Sequence, residues 1–396
     1  MKKIGLLPRI IIAIALGVAV GSIAPERVIR ITATFNDLFS GFLSFAIPLI
    51  IIAFIAPGIG AMGRGAGKAL GLTAGIAYAS TVLAGLLAFA SATFLYPILL
   101  DSQASQAFEN PEEALLSGFF SIEMTPVMGI MSALLLSFIL GIGTSAFKNS
   151  ALQKGLEEFR TIIQMLIEKI IIPLLPFHIF GIFANMTQGG QVSAIINVFL
   201  LVFAMIIVLH LLYLVIQYSV AGSLHGKNPF GMLKNMMPAY FTALGTQSSA
   251  STIPVTLEQS KKMGVREKTA DFCVPLLANI HLSGSTITLV SCAMAVMLIQ
   301  GETATFSQIF PFILMLGVTM IAAPGVPGGA VVASLGLLES MLGFSGAMTS
   351  LMLALYLAQD SLGTATNVTG DGAISSIVDR FTKGRAVKEE SVTKAG

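Results

Sequence analysis

The chain has 396 residues, of which 55% are hydrophobic and only 11% charged, and its mean hydropathy is +0.87. A soluble domain carries about 25% charged residues, so a soluble globular fold is excluded; the length allows roughly eight to ten membrane spans of about 20 residues. The net charge of +2 comes without any basic tract of the kind that binds nucleic acid.

The N-terminus, Met1-Lys2-Lys3 to Arg9 and then an apolar run to Val20, reads as a first span entered from a basic cytoplasmic end. A cleaved secretory signal is the other reading of such a pattern, but the rest of the chain is equally membrane-embedded. Apolar segments run over 7–24, 37–62, 69–100, 125–147, 160–188 and 192–222. No Lys or Arg occurs between Lys68 and Lys148, whereas Asp101, Glu109, Glu112, Glu113 and Glu123 do. The positive-inside rule therefore puts that stretch outside. Arg64, Lys68, Lys148, Lys154, Lys227, Lys261, Lys262, Arg266, Lys268 and the basic tail from Arg380 mark the cytoplasmic side, so both termini are expected there. Arg27 and Arg30 run mildly against the trend. Cys273 and Cys292 sit in apolar sequence and read as core packing. His178, His210 and His225 show no ligand spacing and read as packing or interfacial residues.

The second half is less regular. Segment 230–259 is broken by Gln247-Ser248-Ser249-Ala250-Ser251-Thr252-Ile253-Pro254, and segment 305–345 by Pro324-Gly325-Val326-Pro327-Gly328-Gly329. Each half is too short to span the bilayer and each whole too long for one helix. Such segments read as re-entrant hairpins whose tips must line a protein-enclosed cavity. Paired interruptions are a sequence pointer to a transporter site built from inverted repeats, here hairpin 230–259 with span 268–300 and hairpin 305–345 with span 347–379.

Asp360, Thr364, Asn367 and Asp371 are spaced i, i+4, i+7 and i+11, one face of a helix in otherwise apolar sequence. A carboxylate at membrane depth costs about 2.5–3.5 kcal/mol even on the lenient scale, so two on one stripe point to a polar site that holds something positive. His281-Leu282-Ser283-Gly284-Ser285 is a further break at mid-span. Freed carbonyls there, with side-chain oxygens from Asn367 and Asp371, suit a small monovalent cation, and half-helix N-termini suit a carboxylate.

Three ordered motifs resemble those of the dicarboxylate/amino acid:cation symporter family, which includes the glutamate transporters. Asn367-Val368-Thr369-Gly370-Asp371, preceded by Asp360 and Thr364, resembles its last-helix signature. Ser248-Ser249 through Pro254-Val255-Thr256 resembles its first hairpin tip, and Gly325-Val326-Pro327-Gly328 its second. The resemblance implies an all-α membrane protein with eight transmembrane helices and two re-entrant hairpins, assembled as a homotrimeric elevator in the inner membrane. It implies a scaffold of 1–68 (spans 1–2) and 101–190 (external loop, spans 4–5). The transport unit would be 69–100 (span 3) and 191–396 (span 6, hairpin 1, span 7, hairpin 2, span 8, basic tail). It further implies that Ser248, Ser249, Ser285, Val326, Gly328, Asp360, Thr364 and Asn367 hold substrate. Asp360 takes the ammonium, and Asn367 and Asp371 bind Na+.

Two departures from the family pattern narrow the expectation. Members that carry acidic substrates have an arginine three residues after the position of Asp360, which is Gly363 here, or at the first tip, which is Gln247 here. No Lys or Arg occurs at all from Thr269 to Asp379 or from Asn235 to Ser260, so a second substrate carboxylate finds no guanidinium. A small neutral amino acid is expected, with the serine/threonine symporters as the nearest analogy; a proton-coupled amino acid or dicarboxylate symporter of the same family is the alternative, and Asp360 argues against a substrate without an ammonium. The family's Asn-Met-Asp-Gly-Thr motif reads His281-Leu282-Ser283-Gly284-Ser285. A cation site that Tyr78 and Thr81 complete in relatives is therefore altered or lost, and fewer ions are coupled. Na+ is the expected coupling ion and H+ the alternative, with His281 either a packing residue or a titrating one. No cofactor is called for.

An intramembrane aspartyl protease is a rival. Its dyad needs carboxylates about 3 Å apart, whereas Asp360 and Asp371 are roughly 16 Å apart along a helix, so no enzyme is expected. Two hairpin tips suit alternating gates better than the continuous pore of a channel.

Overall fold

The computed structural model describes residues 5–62, 67–104, 115–147, 150–190, 192–321, 323 and 327–393, with side chains except at 61–62, 67–69, 99–104, 193–194 and 383–393. These residues form α-helices and no strand. The first half contains α1 (Leu6–Ile23), α2 (Glu26–Met62), α3 (Gly67–Ala104), α4 (Ile130–Ser145), α5 (Ala151–Leu166), a π-helical turn at Ile167–Ile171, and α6 (Ile172–Gln188). The second half contains α7 (Val192–His225), α8 (Pro229–Thr246), α9 (Ser249–Met263), α10 (Glu267–Ile280), α11 (Ser283–Ile299), α12 (Phe306–Met320), α13 (Gly329–Leu342), α14 (Gly346–Leu357) and α15 (Asp360–Thr393).

Among the described residues, six segments are long and apolar enough to cross a membrane: Leu6–Ile23, Glu26–Gly60, Leu70–Ile98, Ala151–Gln188, Ile195–His225 and Glu267–Ile299. Ile31, Phe94, Ile98, Ile139, Phe177, Leu200 and Val208 are each more than 60% exposed, the outward apolar surface that a bilayer covers. This is a multi-pass membrane protein.

The helices pack as two groups. In the first, α1 lies on α6, and α2 on α4, α5 and α6. In the second, α15 is central and touches α7, α8, α9, α10 and α11, while α3 runs along α11 and α12. The groups meet where α13 crosses α2 and α14 crosses α6.

Local chemistry sets the breaks in the second half. Asn228 caps α8, accepting from Phe230 N–H and Gly231 N–H, with Pro229 at the first helical position. α8 ends at Gln247, which is left-handed (φ 53°), and Ser248 then caps α9 by accepting from Ser251 N–H. The two helices pack against each other across this break. α10 and α11 are separated only by His281 and Leu282. The expected single span over 347–379 is in fact two helices, α14 and α15, parted at Ala358-Gln359. Asp360 thus opens a helix instead of sitting inside one. The glycine–proline tip residues Pro324, Gly325 and Val326 lie outside the described residues; Gly328 begins α13 in the left-handed conformation (φ 74°).

At the end of α15, Arg266 ties the α9–α10 turn down. Its Nε donates to Asp379 Oδ1 (2.7 Å), and its Nη2 to Asp379 O (3.1 Å) and Thr382 Oγ1 (2.9 Å).

Candidate functional site

All four helix interruptions of the second half meet at one small cavity of about 20 Å³. Gln247 and Ser249 come from the α8–α9 break, Ala278, Leu282 and Ser285 from α10–α11, Ala323 and Ala330 from α12–α13, and Asp360, Thr364 and Asn367 from α15. Each new helix, α9, α11, α13 and α15, starts at this wall. Helix N-termini carry free N–H groups and partial positive charge, so the backbone rim favours an anionic group. Asp360 is the one carboxylate among the lining residues, and none of them is Lys or Arg. The cavity wall thus combines a positive backbone rim with one carboxylate. Its volume holds about one water molecule, so anything larger enters only when a wall moves.

Asp360 is 5% exposed. Its Oδ2 accepts from Gly328 N–H at 2.8 Å, which ties α15 directly to the start of α13. The carboxylate is thus stabilised by the second tip and by its place in the first turn of its own helix.

Asn367 works as a cap for a helix that has none of its own. Leu282, at the N-cap of α11, has no side chain to offer the first-turn N–H groups. Asn367 Oδ1 takes them instead, from Gly284 (2.8 Å) and Ser285 (3.2 Å), while its Nδ2 donates to Ser285 Oγ (2.9 Å). Both lone pairs of that oxygen are engaged, and the amide positions Ser285. Gly284 permits the contact: a Cβ there would lie 2.5 Å from Gly363 O and 2.6 Å from Thr366 Cβ. A Cβ at Gly363 would meet Ser285 at 3.5 Å, an ordinary contact.

One helical turn beyond, His281 Nδ1 lies 2.9 Å from Asp371 Oδ1, with the side chains 0% and 1% exposed. His281 Nε2 faces Ser80 Oγ (3.0 Å) and Gln217 Nε2 (3.3 Å). Tyr213 completes the cradle by donating its hydroxyl to Ser80 O (2.5 Å). The imidazole therefore occupies one oxygen of the carboxylate expected to bind a cation.

The remaining expected residues are placed as follows. Ser249 lines the cavity, whereas Ser248 beside it serves as the α9 cap. Val326 lies outside the described residues. Ser283 is fully buried, with no hydrogen-bond partner for its hydroxyl among the described residues. Tyr78 donates to Leu314 O (3.2 Å) and Thr81 to Ala77 O (2.9 Å), so neither side chain turns to His281; Ser80 between them does. Sequence reasoning passed over Ser80 and read His210 only as packing or interfacial; it also passed over Tyr213 and Gln217. His210 is buried and donates from Nε2 to Gly284 O (3.0 Å), holding the first turn of α11 from outside. The last three are spaced i, i+3 and i+7 on α7, one helix face; three polar groups on one face of an apolar span were the available signal.

The sequence profile of the sodium:dicarboxylate symporter family matches residues 6–381. Among curated proteins, the chain is 27% identical over 338 residues to the Serine/threonine transporter SstT of Streptococcus suis (strain 05ZYH33), covering 83% of this chain and 93% of the relative. It is 22% identical to the protein of the same name from Enterococcus faecalis (strain ATCC 700802 / V583), covering 96% and 92%. With that from Acinetobacter baylyi (strain ATCC 33305 / BD413 / ADP1) it shares 24%, covering 97% and 99%. The chain belongs to the sodium:dicarboxylate symporter family.

Proposed function

We propose that this protein is a secondary active symporter that takes up a small neutral amino acid, serine-, threonine- or alanine-like, together with Na+. A member of a symporter family is a transporter and not an enzyme. The observation that carries the substrate class is the charge of the cavity wall: four helix N-termini, Asp360, and no guanidinium or ammonium among its lining residues. A zwitterion satisfies both ends, with its ammonium on Asp360 and its carboxylate on the rim formed by Ser249, Ser285 and Asn367. A dicarboxylate without an ammonium would meet Asp360 as a like charge. The name shared by the three relatives agrees with this reading.

The architecture that goes with this function has eight spans, two re-entrant hairpins (α8–α9 and α12–α13) and both termini in the cytoplasm. The α1, α2, α4–α6 group is the trimeric scaffold, and α3 with α7–α15 is the moving unit of an elevator. The hydrogen bond from Gly328 N–H to Asp360 supports a gate at the second hairpin. An ammonium arriving at Asp360 competes with or bridges that bond, so binding and hairpin position are linked.

His281 on Asp371 favours a smaller number of coupled cations than in relatives with the Asn-Met-Asp-Gly-Thr motif, because a hydrogen-bond donor belonging to the chain already serves one carboxylate oxygen. The test is uptake into proteoliposomes of a labelled amino-acid panel under separate Na+ and H+ gradients. Neutral amino acids driven by Na+ are expected. Preferred uptake of aspartate or succinate would overturn the reading.

A further inference from the structure

Away from the cavity, three buried side chains on three helices form one hydrogen-bond chain. Asn36 on α2, His178 on α6 and Ser350 on α14 are 6%, 0% and 2% exposed. The protons can be followed along it. Ser350 donates its hydroxyl to Gly346 O in its own helix (2.6 Å), so its oxygen is left to accept from His178 Nε2–H (2.8 Å). A neutral imidazole protonated at Nε2 accepts at Nδ1. Asn36 supplies the donor when its amide nitrogen faces the ring: it then donates to His178 Nδ1 (3.1 Å) and His178 O (3.2 Å), while its carbonyl accepts from Ile182 N–H (3.0 Å). This is the tautomer and amide orientation in which every donor meets an acceptor. Phe39 packs against the imidazole with ring centroids 4.8 Å apart. Gly181 makes room, since a Cβ there would lie 2.7 Å from the end of the Asn36 amide.

We propose that Asn36, His178 and Ser350 form a clasp between the two packing groups of helices, and that it sets the rate at which the α14-bearing group leaves its present position. The proposal rests on the elevator reading above, in which α14 slides past α2 and α6. His178 and Asn36 belong to one group and Ser350 to the other, so any such slide breaks the His178–Ser350 bond. Breaking a buried bond is normally costly because its partners are orphaned. Here the cost is limited by a cavity of about 400 Å³ whose wall includes Asn36, Asp37, Ser40, Asn185 and Ser350. Asn36 and Ser350 border that space, so water can reach the Ser350 hydroxyl and the Asn36 amide once the clasp opens. The clasp therefore holds one position without locking it.

The test places donor and acceptor dyes on Leu152→Cys in α5 and Phe381→Cys in α15, both exposed positions, in the full-length protein; the native Cys273 and Cys292 are buried. Single-molecule energy transfer then reads the distance between the two groups during turnover. Two distance populations are expected. Ser350→Ala should shorten the dwell in the present position about two- to tenfold, the range for one net hydrogen bond. It should raise kcat while leaving KM for serine within about twofold, because Ser350 is not part of the substrate cavity. Ser350→Thr, which keeps the hydroxyl, should restore the dwell, and Gly181→Ala, which displaces Asn36 from the other end, should shorten it again. A dwell unchanged in Ser350→Ala beside two clear populations would overturn the clasp alone. A single immobile population would overturn both the clasp and the elevator reading.

Discussion

His281 Nδ1 sits 2.9 Å from Asp371 Oδ1, and neither side chain is reached by solvent. The pair joins the break between α10 and α11 to the middle of α15. A buried carboxylate needs a compensating donor or cation; here a ring nitrogen of the chain provides it, backed by Ser80 and Gln217. Only His281 touches that carboxylate; Ser283, two residues on, keeps its hydroxyl buried without a hydrogen-bond partner among the described residues.

Replacing both should restore a demand for cation. In His281→Asn/Ser283→Asp, Asp371 loses its imidazole donor and a second buried carboxylate is introduced at the start of α11. The Na+ dependence of uptake should become steeper, with a Hill coefficient higher by about one, and Na+ should raise thermal stability more than in the parent. His281→Ala alone should lower stability by about 1.5–3 kcal/mol, the scale of a hydrogen bond to a charged group. Sodium titrations of uptake and of melting temperature read both; an unchanged sodium slope in the double variant would count against a cation role for this region.

Asp360→Asn tests the ammonium site. An asparagine carbonyl still accepts from Gly328 N–H, so the tie between α15 and α13 survives while the charge is lost. Neutral amino-acid uptake should fall by at least about a hundredfold, since the substrate ammonium would be buried without a counter-charge. Elution on size exclusion should not change. Uptake at the parent rate would remove Asp360 from its assigned role.

Much of this site was legible because its signals are local. The stripe from Asp360 to Asp371 stands out against apolar sequence, and α15 carries all four residues buried on one helix. The breaks at Gln247-Ser248 and His281-Leu282 announced themselves through polar and small residues. The break at Ala358-Gln359 did not, because alanine and glutamine are ordinary helix residues and only tertiary packing stops the helix there. The cradle of His281 was missed for a related reason. Ser80, Tyr213 and Gln217 lie on helices 64 to 201 positions away in the chain, and a single sequence does not show which span will face which. Tyr78 and Thr81 flank Ser80 on α3, yet their hydroxyls bond Leu314 O and Ala77 O while Ser80 faces His281.

Gly363→Arg tests what sets the charge of the substrate. The added Cβ meets only ordinary contact at 3.5 Å with Ser285, a residue that lines the cavity. A guanidinium there would pair with a second substrate carboxylate. The ratio of aspartate to serine uptake should rise by about ten- to a hundredfold, the value of one charge-assisted hydrogen bond. Competition assays read it. Gly284→Ala is the steric contrast: its Cβ would collide with Gly363 O and Thr366, and it should reduce uptake of all substrates alike.

Asn367 separates architecture from binding in one position. Its Oδ1 caps Gly284 N–H and Ser285 N–H, and its Nδ2 holds Ser285 Oγ. Asn367→Ala orphans two buried N–H groups, at about 1–3 kcal/mol each, so the melting temperature should drop by several degrees and substrate binding should be lost. Asn367→Asp keeps two oxygens for the N–H groups and should recover most of the stability. It removes the donor, however, and puts a negative charge beside the expected substrate carboxylate, so KM should stay raised by at least about tenfold. Melting curves and uptake kinetics on the two variants together decide the point: if Asp restores KM as well as stability, Asn367 acts through the α11 cap alone and has no direct part in holding substrate.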